Sequence, residues 1–131
     1  MKYQFSDSDK QKIRYTLTSI DKVINQLLEW NKKISIANEY YYSDEGLQLL
    51  AANCTLFTAI GEGINRISRI TDFLQKNYPE IPWKEIIGMR NRIAHGYFEI
   101  DADIIFDAIQ EDIPKLQKAL KDFQTQINEP T

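Results

Sequence analysis

Apolar residues recur at three- and four-residue steps along most of the chain, the period of helices with one buried face. Ser6 with Asp9 three residues later resembles a capping box, with Asp in place of the usual Glu or Gln. Beyond it Ile13, Leu17, Ile20, Ile24, Leu27 and Leu28 form one stripe, which predicts a first helix running to about Ala37. Asn38 to Asp44 is a polar and aromatic break containing Tyr40, Tyr41 and Tyr42. Ser43 or Asp44 can cap a second long helix, with Leu47, Leu50, Cys54, Phe57, Gly61, Ile64, Ile67 and Ile70 in its stripe. Gly61 and Gly63 each cost that helix roughly 1 kcal/mol relative to alanine, a cost that close approach by another helix can offset. Pro79 and Pro82 force a turn, and Pro82 suits the first turn of a third helix. That helix carries Trp83, Ile86, Met89 and Ile93 and stops at Gly96. Asp101 caps a fourth with Ile104, Ile105 and Ala108. Pro114 interrupts the pattern, and a last helix carries Leu116, Leu120, Phe123 and Ile127. No strand alternation is present. The expected fold is all-α, an up-and-down bundle of four to five helices.

Size keeps this to one domain over residues 1–131, enough for a single core. Hydrophobic residues make up 43% and charged ones 27%, an ordinary globular balance. The net charge is −3, so the chain is no general polyanion binder, and any contact with nucleic acid needs a local basic patch. The charge is uneven, which is either the fluctuation found along any chain or a cationic middle segment suited to phosphate. Between Glu62 and Tyr97 lie six basic residues, Arg66, Arg69, Lys76, Lys84, Arg90 and Arg92, against four acidic ones. From Glu99 onward eight acidic residues face three lysines. Cys54, the only cysteine, rules out an intrachain disulfide and suits a reducing compartment. Its helical spacing from Leu50 and Phe57 marks it as a small core residue. No apolar run of signal-peptide or membrane-spanning length is visible, so a cytoplasmic location away from membranes is expected.

Candidate chemistry converges on one segment, Gly88-Met89-Arg90-Asn91-Arg92-Ile93-Ala94-His95-Gly96-Tyr97. His95 is the single histidine, and no metal-ligand spacing, phosphate-binding glycine loop or nucleophile elbow accompanies it. Neither a metal nor a cofactor is expected. At roughly 100° per residue, Ile86, Met89, Ile93 and Tyr97 share one face of a helix, while Asn91 and His95 meet on the opposite one. An asparagine there can fix the orientation of the imidazole. Arg90 lies about 140° from His95 on an ideal helix, off the same face. Either the last turn unwinds near Gly96, or a second subunit completes the site. Chemistry favours the second. Metal-free cleavage of RNA by its 2′-hydroxyl calls for a base, an acid and a cation for the phosphorane charge. One chain has one imidazole, whereas a symmetric dimer has two, with two guanidinium groups.

The spacing Arg-x4-His, here Arg90 to His95, resembles the signature of HEPN ribonucleases. Its extension to Tyr97 is similar to the Arg-x4-His-x-Tyr of HepT toxins. The likeness takes in Gly61-Glu62, Ile81-Pro82-Trp83, Gly88 to Asn91, Tyr97 to Asp101, and Ile113-Pro114-x-Leu116, which spans most of residues 45 to 120. It implies a HEPN-like bundle and a dimeric, metal-independent endoribonuclease toxin. Its cleft would be lined by catalytic Arg90, Asn91 and His95 of both subunits. It also implies an antitoxin, an MntA-like nucleotidyltransferase that transfers AMP from ATP to Tyr97. Charge and bulk added two residues from His95 would occupy the place of an RNA phosphate.

Arg92, Arg66 and Arg69 are the candidate RNA contacts, and Arg92 equally suits contact with the antitoxin or a surface ion pair. Tyr97 falls on the apolar face, so its ring can be core while its hydroxyl reaches the cleft. Glu62 is a bordering residue or a solvated one. Trp83 is a core or interface anchor, and Tyr40 to Tyr42 either stack bases or cover the bundle end. The second and third helices are the expected dimer interface, on the strength of Gly61, Gly63 and the Asn91/His95 face. One rival reading keeps the bundle and drops the chemistry: a non-enzymatic accessory subunit that holds nucleotide or substrate for a nucleotidyltransferase. The class of RNA cleaved is not written in the sequence, and tRNA is suggested by the family alone.

Overall fold

A serine hydroxyl begins the first helix. In the computed structural model, which describes residues 4–89 and 100–128, Ser6 Oγ accepts the Asp9 amide at 3.0 Å and α1 runs Asp7–Trp30. Its stripe of Ile13, Leu17, Ile20, Ile24 and Leu27 is buried as the spacing predicted. A 3-10 turn follows at Ala37–Tyr41, then α2 over Asp44–Ser68, capped by Ser43 through the Gly46 amide. The short helices α3 (Phe73–Asn77) and α4 (Trp83–Ile87) come next. After the undescribed residues, α5 (Ala102–Asp107), a π-helical turn (Ala108–Asp112) and α6 (Ile113–Asn128) complete the chain. Every regular element among the described residues is helical, and the fold is the expected all-α bundle.

Paired residues give the register. Gly63 of α2 lies against Ile20 of α1, and Asn53 of α2 bonds to Asn31 beyond the end of α1, so α1 and α2 run antiparallel. On the other side Arg14 Nε reaches Asn128 Oδ1 at 2.7 Å and Gln117 Nε2 reaches Asn25 Oδ1 at 3.0 Å. Eleven residues along α1 match eleven in reverse along α6, which makes that pair antiparallel too. Helix α1 therefore lies between α2 and α6. Helix α4 packs on α2, α5 on the 3-10 turn, and α3 on α6, where Phe73 and Phe123 stack with ring centroids 4.6 Å apart.

Three expectations need correction. Helix α1 stops at Trp30, seven residues before Ala37, because the Asn31 side chain turns back onto the Leu27 carbonyl and across to Asn53 and Tyr40. A fully buried amide gains more from these partners than from another helical turn. Pro114 does not break the last helix. The π turn before it widens the ladder, so the helix passes through a position that has no N–H to donate. The third helix, expected to carry Met89 and run on toward Gly96, instead ends at Ile87, where the Gly88 amide closes the last turn on the Lys84 carbonyl at 2.8 Å. Gly61 and Gly63 do meet the expected close approach of another helix, in each case within the protomer. A Cβ at 61 would lie 3.2 Å from the Ile87 carbonyl oxygen of α4, and one at 63 would lie 2.5 Å from Ile20 Cγ1 of α1.

Among the described residues α2 is long and apolar enough, by length and composition alone, to cross a membrane, where no run of spanning length was expected. Here it is a core helix. Leu50, Phe57, Ile60, Ile64 and Ile67 are buried, and Asn53 sits among them in a satisfied hydrogen-bond network.

Candidate functional site

Arg90, Asn91, Arg92, His95 and Tyr97 lie outside the described residues, so the expected pairing of Asn91 with His95 and the placing of Arg90 are not addressed by the structure. What it does describe is how the chain is held on either side of them. Both flanks are referenced to α2.

On the N-terminal side, Tyr78 secures the turn that precedes α4. Its carbonyl accepts the Trp83 indole N–H at 2.9 Å, and its hydroxyl donates to the Asp122 carboxylate of α6. Burial first, then the bond to Asp122 and the charges of Asp122 and Glu80, push the Tyr78 hydroxyl well above the usual phenol range. It therefore remains a neutral donor at any physiological pH. Trp83, Ile86 and Met89 are buried, which makes Trp83 a core anchor. With hydrogen in place of a side chain at Gly61, the α4 backbone comes to rest directly on α2. The chain leaves the described residues at Met89, one peptide before Arg90.

On the C-terminal side, Asp101 caps α5, its carboxylate accepting the amides of Asp103 and Ile104 at 2.9 and 3.3 Å. This is the cap read from the sequence, and its charge suits a helix N-terminus. One further contact ties this flank to the turn between α1 and α2. Tyr41 Oη donates to the Ile100 carbonyl and accepts the Ala102 amide, each at 3.3 Å.

The three consecutive tyrosines thus have three different settings. Tyr40 is completely buried, and its hydroxyl donates to Asn31 Oδ1 at 2.5 Å while Asn53 Nδ2 donates to it at 3.4 Å. Burial pushes it up to about 12, against the lowering effect of Asn53. Tyr41 is half exposed and Tyr42 more so. Sequence reasoning missed this buried Asn31–Tyr40–Asn53 network. The available signal was Asn53 itself, three residues after Leu50 and four before Phe57 on an apolar stripe.

The remaining candidates fall in two places. Arg66 and Glu62 border a groove of about 200 Å³ between α1 and α2, with Thr16, Ser19 and Val23 on its far wall. Arg69 caps the C-terminal end of α2 beside an open hollow lined by Gln4, Phe5, Thr71 and Asp72. Neither arginine forms an ion pair among the described residues. Cys54 packs partly against the core and donates to the Leu50 carbonyl at 3.4 Å. Burial pushes its thiol up, away from the reactive thiolate.

With the fold in place, comparison with known proteins is specific. Residues 20–123 match the family described as Ribonuclease HepT-like. The chain is 31% identical over 112 residues to the Methanocaldococcus jannaschii protein named "Putative RNase MJ1380", covering 86% of this chain and 96% of that one. It is 31% identical over 101 residues to the "Probable ribonuclease HepT" of Thermococcus cleftensis, covering 77% and 86% respectively. A second Methanocaldococcus jannaschii protein, "Putative RNase MJ1216", is 25% identical over 109 residues, covering 83% of this chain and 84% of its own. No solved structure matches the chain.

Proposed function

We propose that this chain, which belongs to the HepT-like ribonuclease family, is the endoribonuclease toxin of a toxin–antitoxin pair and cuts RNA without a metal ion. The observation that carries the reading is the family match over residues 20–123, within which the chain retains Arg90, Asn91, His95 and Tyr97 at the Arg-x4-His-x-Tyr spacing. A partner that only held nucleotide would have no use for those four polar groups in that order.

The catalytic residues are Arg90, Asn91 and His95. In a homodimer two such segments line one cleft. One imidazole takes the 2′-hydroxyl proton and the other protonates the leaving 5′-oxygen, giving a 2′,3′-cyclic phosphate. Arg90 holds the phosphate and stabilises the charge that builds on it, and Asn91 orients the ring of His95. Arg66, Arg69 and Arg92 add contacts to the RNA backbone, and tRNA is the substrate class the family suggests. An MntA-like nucleotidyltransferase silences the enzyme by adenylylating Tyr97. The reaction runs in the cytoplasm and uses no cofactor.

The test is cleavage of total RNA and tRNA by the purified, unmodified protein in EDTA, beside His95→Ala. Cyclic-phosphate ends produced by the wild type alone support the reading, and no cleavage by an unmodified dimer overturns it. Coexpression with the nucleotidyltransferase should raise the intact mass by one or more AMP units, and Tyr97→Phe should abolish the gain.

A further inference from the structure

We propose that Tyr41 is a positioning residue for the ribonuclease, acting through the backbone at Ile100 to Ala102, which follows the segment bearing His95. This rests on His95 being the catalytic imidazole, as argued above.

The contact is long-range and specific. The Tyr41 hydroxyl lies 3.3 Å from both the Ile100 carbonyl oxygen and the Ala102 nitrogen, donating to the first and accepting from the second. Ala102 is the first residue of α5, and its N–H is one of the donors a helix leaves unpaired at its start. The Asp101 carboxylate caps the next two amides, 103 and 104. Tyrosine 41 supplies the acceptor that Asp101 does not.

A clamp is only as firm as what carries it, and here the carrier is well fixed. The Glu39 carboxylate accepts the Ser35 and Ile36 amides at 2.9 and 3.1 Å, closing the start of the 3-10 turn. The next residue, Tyr40, is locked by Asn31 and Asn53 in the core. Helix α2 sits directly on the turn because position 46 is glycine, where a Cβ would lie 2.6 Å from the Tyr40 carbonyl oxygen. Tyr41 therefore projects from a rigid base, and α5 packs against that same base. Its hydroxyl transfers the rigidity of the α1–α2 core to the backbone five residues beyond His95. Proton transfer requires the ring to be held within fractions of an ångström, and supporting contacts supply that precision.

Exposure separates this from a packing role. The Tyr41 ring is 51% exposed, so removing its hydroxyl opens no cavity. Tyr42, 70% exposed beside it, serves as the matched control.

The experiment compares wild type, Tyr41→Phe, Tyr42→Phe and His95→Ala. Cleavage is followed under single-turnover and steady-state conditions, with unfolding midpoints recorded for each. Tyr41→Phe should lower kcat by roughly tenfold at nearly unchanged KM, the loss expected for one positioning hydrogen bond, while Tyr42→Phe remains at wild-type rate. Two readouts do not require cleavage. His95 is the only histidine, so its imidazole gives a single NMR signal, which should shift or broaden in Tyr41→Phe and not in Tyr42→Phe. The Ala102 amide should exchange slowly in wild type and faster in Tyr41→Phe. An unchanged imidazole signal and an unchanged kcat in Tyr41→Phe overturn the proposal, as does an unprotected Ala102 amide in the wild type. If the wild type does not cleave RNA, the functional reading fails, and the imidazole signal and Ala102 exchange still decide whether Tyr41 holds this flank.

Discussion

Gly61 and Ile87 pack closely, backbone against backbone: a Cβ on Gly61 would lie 3.2 Å from the Ile87 carbonyl oxygen and 3.5 Å from its Cα. The atoms facing Gly61 are backbone, which cannot rotate away as a side chain can. The α4 backbone must give by a few tenths of an ångström to admit a methyl group, and α4 ends three residues before Arg90. Gly61→Ala is therefore expected to change stability by only about 1 kcal/mol, overpacking being offset by the better helix propensity of alanine. Cleavage per folded molecule should fall further than that stability change implies. At Gly63 the crowding atoms belong to Ile20, itself buried, so Gly63→Ala should destabilise by about 1–3 kcal/mol without shifting α4. Thermal unfolding and RNA cleavage, measured on both variants, separate the two effects.

The buried network makes a second prediction. Asn53→Ala removes two of the hydrogen bonds of Asn31, which is 2% exposed, and a donor to the Tyr40 hydroxyl. Stranded buried polar groups should cost about 2–3 kcal/mol, visible as a lower denaturant midpoint at unchanged slope.

Much of the architecture was legible because the bundle is built from single amphipathic stripes with conventional caps. Ser6, Ser43 and Asp101 announce three helix starts, and the stripe of α1 is buried to within one residue. What escaped was decided by partners distant in sequence. Asn31 ends α1 because Asn53 and Tyr40 await it 22 and 9 residues on, and no local pattern contains that. Pro114 looked like a break because the π turn that absorbs it has no sequence signature. The expected site is a spacing along the chain, Arg90 to His95, and it falls outside the described residues; the contacts of Tyr41 with Ile100 and Ala102, 59 and 61 residues away, have no such one-dimensional signature.

Tyr40 sets a limit at high pH. Its folded value of about 12 lies above the unfolded value near 10, so the unfolded chain releases the proton first. The stability held below pH 10 is lost as pH rises toward 12, a decline on the order of 2 kcal/mol for this group. Tyr78, raised by burial and by Asp122, adds to the same alkaline slope. Urea midpoints from pH 8 to 12 should fall steadily above 10, and Tyr40→Phe should flatten that fall by one proton's worth.

The two arginines of α2 and its cap test the basic patch. Arg66→Glu and Arg69→Glu should weaken RNA binding at low salt, and each lost phosphate contact should reduce the salt slope by roughly 0.7. Affinity titrations at three salt concentrations read this directly. An unchanged slope in the double variant would assign the patch to another partner.

The composite cleft makes the sharpest demand, because it predicts how inactive subunits poison active ones. If each chain carried a complete site, blending wild type with His95→Ala and allowing subunits to exchange would lower the rate in proportion to dilution. An equal mixture would then retain half the activity. A cleft that needs one imidazole as base and another as acid behaves differently, since a mixed dimer has only one. Activity should then follow the square of the wild-type fraction, and an equal mixture should retain roughly a quarter. Arg90→Ala should poison in the same way if both guanidinium groups hold the phosphate; if one suffices, mixed dimers remain active and an equal mixture should retain roughly three quarters. The curve therefore counts the imidazoles and guanidiniums each turnover consumes in one site, which no property of the isolated chain can reveal.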